Sequence, residues 1–153
     1  MTKPKIMQTR FGMRKVYPAA YKAMDGLENL IEISSVDKWY REMIRIRASQ
    51  INGCAYCVNY HTGDALKLEV DFKKINLLSA WREAPNVFNQ EEQLLLQMTE
   101  ELTLIHQHGL SEATYSEALK LFGEEQTAQL MMLIITINAW NRIGVGLKMI
   151  PEL

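Results

Sequence analysis

The chain has 153 residues and a formal net charge of -1 at pH 7, from 17 basic and 18 acidic side chains. That length suits one hydrophobic core, and the balance gives no broad field for nucleic acid or an anionic membrane. No stretch approaches the roughly 20 apolar residues of a membrane span, and the basic N-terminal stretch (Lys3, Lys5, Arg10, Arg14, Lys15) lacks the apolar run of a secretory signal. The expectation is a cytoplasmic protein with a single domain over 1–153 and with neither nucleic acid nor membrane as partner.

No run of alternating polar and apolar residues is long enough to argue a strand, so the whole chain reads as helices joined by short polar turns, an all-α fold. After a segment to about residue 20 comes a short helix around Tyr21 to Leu30. Ser34 with Asp37 three residues on resembles a capping arrangement for a helix to about Ala48. A helix from Cys54 to about Leu68 follows, then a shorter one from Asp71 to about Trp81, and Ala84-Pro85-Asn86 breaks the chain. Asn89-Gln90-Glu91-Glu92 signals the start of a long amphipathic helix with Leu95, Met98, Leu102 and Ile105 on one face, ended by Gly109. Ser111 opens a helix with Tyr115, Ala118, Leu119 and Phe122 in register, which Gly123 stops. The last helix runs from about Glu125 through the apolar run Leu130 to Ile137, which belongs in the centre of a bundle or in a subunit interface. Together with the leucine-rich face from Leu94 to Ile105, that run predicts a homo-oligomer, a dimer or a hexamer built from dimers.

The only two cysteines stand as Cys54-x-x-Cys57, opened by Asn52-Gly53 and followed by His61. Asn-Gly is a good helix entry, which places Cys54 in the first turn and Cys57 one turn further in. A helix start favours thiolate over thiol and lowers a cysteine pKa from about 8.5 into the range of roughly 3.5 to 7.5. Cys57 and His61 are i and i+4, so they share a face, and Cys54 at i-3 shares it too. The imidazole can take the proton of Cys57, and Cys54 is close enough to condense with an oxidised Cys57. The direct imidazole partner favours Cys57 over Cys54 as the attacking thiol. Two other readings stand beside this one: ordinary buried cysteines, or a zinc half-site completed by His106 and His108. Glu42, on the preceding helix with Arg41 and Arg45, flanks the stripe of Trp39, Met43, Ile46 and Gln50; it is either turned toward the dithiol as a proton-transfer group or solvated. Asn138-Ala139-Trp140-Asn141-Arg142 brings polar residues to the end of the apolar run, as pocket lining or as helix-end hydrogen bonding.

Glu42, eleven intervening residues, then Cys54-x-x-Cys57-x-x-x-His61, within Arg47-Ala-Ser-Gln-Ile-Asn-Gly-Cys-Ala-Tyr-Cys, resembles the core motif of the alkylhydroperoxidase D-like (AhpD-like) branch of the carboxymuconolactone decarboxylase family. Ile137-Asn-Ala-Trp-Asn-Arg142 also resembles single-domain members. The resemblance implies an AhpD-like helical bundle with intertwined subunits, no metal or organic cofactor, and peroxidase chemistry by a thiol relay. An external dithiol or disulfide reductase supplies the electrons. Carried over by residue, Cys57 attacks the peroxide, Cys54 resolves, His61 belongs to the proton relay and Glu42 is its acid/base. The founding alkylhydroperoxidase D has a second relay histidine between its cysteines; this chain has Tyr56, a phenol with an ordinary pKa near 10. That departure leaves open a general disulfide oxidoreductase or a redox-sensing module. A lactone decarboxylase using Glu42 and His61 without the dithiol is a further alternative.

Overall fold

The computed structural model describes residues 7–152, and every regular element among them is helical. In chain order these are α1 (Met13–Val16), α2 (Pro18–Glu32), α3 (Lys38–Asn52), α4 (Ala55–Lys67), α5 (Phe72–Asn76) with a 3-10 continuation over Leu77–Glu83, α6 (Gln90–Thr103), α7 (Ile105–His108) and α8 (Glu112–Gly146). The all-α expectation holds.

Several helix starts follow directly from side chains. Asn89 accepts from the Glu92 amide while the Glu92 carboxylate accepts from the Asn89 amide, a complete capping box opening α6. Ser111 caps α8 and Asp71 caps α5. Asp37 is itself the cap of α3, accepting from the amides of Trp39 and Tyr40, so the pairing with Ser34 is not a capping box. Ser34 instead donates to the carbonyl of Ile31 at the end of α2. Gly123 breaks α8 with φ 74 and ψ 174, a backbone that side chains rarely adopt, yet the helix resumes at once instead of stopping. The α6 helix ends at Thr103 because Leu104 leaves helical geometry (φ -97, ψ 40), and Ile105 is thereby turned out to 61% exposure. Its expected place on the buried face is lost for that reason.

Helix α3 is the centre, packed against α4, α6 and α8. Met43, Ile44, Ile46 and Ala48 are fully buried, and so are the polar Arg41, Glu42, Arg45 and Ser49. Burying charge is costly unless it is paired, and each of these is. The Arg41 guanidinium donates to the carbonyls of Val36 (2.9 Å) and Ser34 (3.1 Å) just past the C-terminal end of α2, where a cation offsets the helix dipole. In the apolar run of α8, Leu130, Leu133, Ile134 and Ile137 join the core while Met132 and Ile135 stay 40% and 48% exposed.

Candidate active site

Gly53 closes α3 in left-handed geometry (φ 68, ψ 29), so Asn52-Gly53 ends one helix instead of opening the next. Cys54 is consequently not inside the first turn of α4. It is the N-cap, and its Sγ accepts from the Cys57 amide at 3.3 Å. Cys54 and Cys57 are joined as a disulfide. Both sulfurs are nearly buried, but they face different hollows: Cys57 lines a cavity of about 540 Å³, and Cys54 lines a shallower one with Ser49, Gly53, Val58 and Thr62.

His61, one turn beyond Cys57, lines the same large cavity. Its Nδ1 lies 2.8 Å from Glu42 Oε2, and Glu42 is turned fully inward at 6% exposure. The choice between an inward and a solvated Glu42 is thus decided by the fold. Arg45 donates to Glu42 Oε1 at 2.7 Å and, with its other amino group, to Glu28 Oε2 at 2.6 Å. Trp140 Nε1 donates to the remaining oxygen of Glu28 at 2.8 Å. Burial by itself pushes the Glu42 carboxyl up, but the hydrogen bond and charge of His61 and the Arg45 guanidinium outweigh it and hold the group below the ordinary carboxylate value. The Arg45 guanidinium, flanked by Glu28 and Glu42, is held in its charged form in spite of its burial.

Tyr56 also lines the cavity and stacks on Tyr60 with ring centroids 6.3 Å apart. Burial, with Tyr21 and Tyr60 adding, pushes its phenol above its ordinary value. At neutral pH it stays protonated. His106 and His108 are exposed on α7. Among the described residues Glu42, His61 and Asp64 present ligand atoms within 4.8 Å of one another, but both Glu42 oxygens are already engaged by Arg45 and His61.

Four neighbours of the site carry no motif of their own. Arg45 sits at i+3 from Glu42, and that spacing is the one signal by which it could have been found. Glu28 and Trp140 come from distant parts of the chain. Gly144 lies where a Cβ would come 2.8 Å from Cys54 Sγ and 3.4 Å from Cys57 Sγ, so the backbone of α8 walls the dithiol and only a glycine leaves room. That wall is held by side-chain amides in mid-helix, not at a helix end. Asn52 donates to the Oδ1 atoms of Asn138 and Asn141 (both 2.9 Å), and Asn141 donates to Ser49 Oγ (2.9 Å).

The profile of the carboxymuconolactone decarboxylase family matches residues 18–100, which include the glutamate, both cysteines and the histidine. The uncharacterized protein YdfG of Bacillus subtilis is 35% identical over 141 residues, 92% of this chain and 95% of that protein. The chain belongs to the carboxymuconolactone decarboxylase family. Among solved structures of similar fold, a protein of unknown function from Agrobacterium tumefaciens, provisionally named an antioxidant defence protein AhpD, is 34% identical with a TM-score of 0.91, covering 95% of this chain and 99% of that one. An uncharacterized peroxidase-related protein from Silicibacter is 21% identical with a TM-score of 0.79 over 99% of this chain and 95% of that one, a likeness of fold. The AhpD-like bundle expected of this family member is therefore the fold it has. No helix among the described residues is long and apolar enough to cross a membrane.

Proposed function

We propose that this member of the family is a thiol-dependent peroxidase. The observation that carries the reading is the placement of Cys57 and the His61–Glu42 pair on one cavity. His61 takes the proton of the Cys57 thiol, and the thiolate attacks the outer oxygen of a hydroperoxide. The O–O bond breaks, the alkoxide leaves with the proton from His61 as an alcohol, and Cys57 becomes a sulfenic acid. The Cys54 thiol attacks that sulfur, water leaves, and the disulfide of this structure results. An external dithiol then attacks Cys54 from its own hollow and releases Cys57 as a thiolate next to His61.

Glu42 carries the negative charge that Arg45 enforces, so its part is to accept from Nδ1–H of His61 and leave Nε2 for the thiol. That is an orienting role, where the family resemblance implies an acid/base. Tyr56, held protonated, packs and donates, and takes no part in proton transfer.

The test is a dimedone trap read by mass spectrometry. Cys57→Ser abolishes reaction with peroxide, and Cys54→Ser gives one oxidation event that stalls as a sulfenic acid on Cys57. An adduct on Cys54 in the first variant, with none on Cys57 in the second, reverses the roles. A lactone decarboxylase activity that survives loss of both cysteines would replace the reading altogether.

A further inference from the structure

The cavity that ends at Cys57 is large for the smallest peroxide. Its volume, about 540 Å³, is in the range of roughly 300–1,000 Å³ typical of sites that enclose an organic ligand. Five aromatic side chains wall it: Phe11, Tyr21, Tyr56, Tyr60 and Trp140. Hydrogen peroxide would leave nearly all of this surface uncovered, whereas a substrate with a hydrocarbon body would cover it.

The charges on the same walls are unequal. Asp25, Glu28, Glu32 and Asp64 line the cavity against Arg14 and Arg45. Neither guanidinium is open to a ligand. Arg45 is committed to Glu42 and Glu28, while Arg14 pairs with Asp25 at 3.6 Å and lies 4.3 Å over the ring of Tyr21. Among the described residues of the cavity there is thus no uncommitted arginine or lysine to receive an anion. A carboxylate entering would lose its water and face carboxylates in return.

We propose that this cavity selects bulky, uncharged organic hydroperoxides, and that it discriminates against hydrogen peroxide for want of apolar contact and against carboxylate-bearing hydroperoxides through its acidic walls. The inference rests on the peroxidase reading and deepens it. Enclosing a phenyl-sized body contributes enough transfer free energy to favour it over hydrogen peroxide by about tenfold or more.

The experiment is single-turnover oxidation of the reduced protein, followed by tryptophan fluorescence, with four oxidants. They are hydrogen peroxide, cumene hydroperoxide, cumene hydroperoxide bearing a para-carboxylate, and the methyl ester of that acid. Each rate constant is divided by the rate of the same peroxide with free dithiothreitol, which removes intrinsic reactivity. Cumene hydroperoxide and the ester are expected to exceed hydrogen peroxide and the free acid by about tenfold or more. In Asp25→Asn, which releases Arg14 from its partner, the gap between ester and acid should narrow at least about threefold. Normalised rates that are equal for all four, or an ester-to-acid gap unchanged in Asp25→Asn, overturn the selectivity and leave the peroxidase reading standing. No oxidation by any of the four overturns the peroxidase reading, and the selectivity with it.

Discussion

Two buried carboxylate hubs flank the central helix α3, and they are built from the same materials toward different ends. On the side facing α6, Glu92 accepts from Trp39 Nε1 (2.6 Å), Lys74 Nζ (2.6 Å) and its own cap amide (2.8 Å). Nearby, Glu100 accepts from Arg47 (2.9 Å), Trp81 (2.8 Å) and Arg82 (2.5 Å). On the side facing α4, Glu42 accepts from Arg45 and faces His61. Every partner of Glu92 and Glu100 is a donor whose charge stays constant near neutral pH. One partner of Glu42 is an imidazole that titrates there, and that imidazole borders a cavity with a sulfur on it. A buried, cation-paired carboxylate is therefore no mark of a site by itself; a partner that can change its protonation, with room beside it for a reacting molecule, is what separates the two hubs.

The largest effect expected of this contrast is on rate. Glu42→Gln keeps a similar shape and a hydrogen-bond acceptor but removes the charge that orients His61, and should slow peroxide reduction by roughly 10²- to 10⁴-fold with the disulfide still able to form. Glu100→Gln should leave the rate within about twofold, because no reacting group depends on it. Stopped-flow oxidation of the two variants checks both, and equal slowing would erase the distinction between the hubs.

Stability is expected to run the other way. Glu100→Gln leaves Arg47 and Arg82 without their counter-charge and Trp81 with a weaker acceptor, at a cost of about 1–3 kcal/mol. For a chain of this size that amounts to a Tm loss of about 2–4 °C per kcal/mol. Thermal unfolding followed by circular dichroism at pH 7 measures it, and a Tm equal to that of the parent protein would count against the clasp.

A pair of glycines sharpens the difference between site wall and plain surface. Gly144→Ala places a methyl against Cys54 Sγ and should destabilise the oxidised protein by about 1–3 kcal/mol, the usual cost of overpacking. Gly146→Ala meets nothing within 4 Å and should be neutral or gain up to about 1 kcal/mol from helix propensity. The same melting curves compare them, and equal shifts would mean that α8 does not wall the dithiol.

The smallest effect is the response to acid. Burial raises the Glu100 carboxyl, but hydrogen bonds from Trp81, Arg82 and Arg47 outweigh it and hold the group below its ordinary value. A carboxyl with a lower pKa folded than unfolded stabilises the fold above its unfolded pKa, near 4.3, and that contribution disappears as pH falls through the folded value. The decline in Tm between about pH 5 and pH 3 should accordingly be shallower in Glu100→Gln than in the parent. Parallel declines would show that the clasp carries no proton linkage.

What the sequence determined by itself was local. Helix starts at Asn89, Ser111 and Asp71, the break at Gly123 and the stacking of His61 one turn beyond Cys57 depend on residues within about four positions of one another, where backbone geometry leaves few choices. The pairing of Glu42 with the dithiol segment was legible through the resemblance of a motif, while spacing alone left it open. The tertiary structure decided whatever needed two distant segments in one place. It turned Glu42 inward, supplied Glu28 and Trp140 to the far side of Arg45, and brought Gly144 against the sulfurs. Arg41, Glu42 and Arg45 look like a solvated face because single residues are read by polarity, and they are buried because each finds a counter-charge or a carbonyl that only the folded chain puts there. The position of Cys54 has the same cause on a smaller scale. Asn52-Gly53 suits a helix end as well as a helix start, and the amides of α8 that grip Asn52 favour the end.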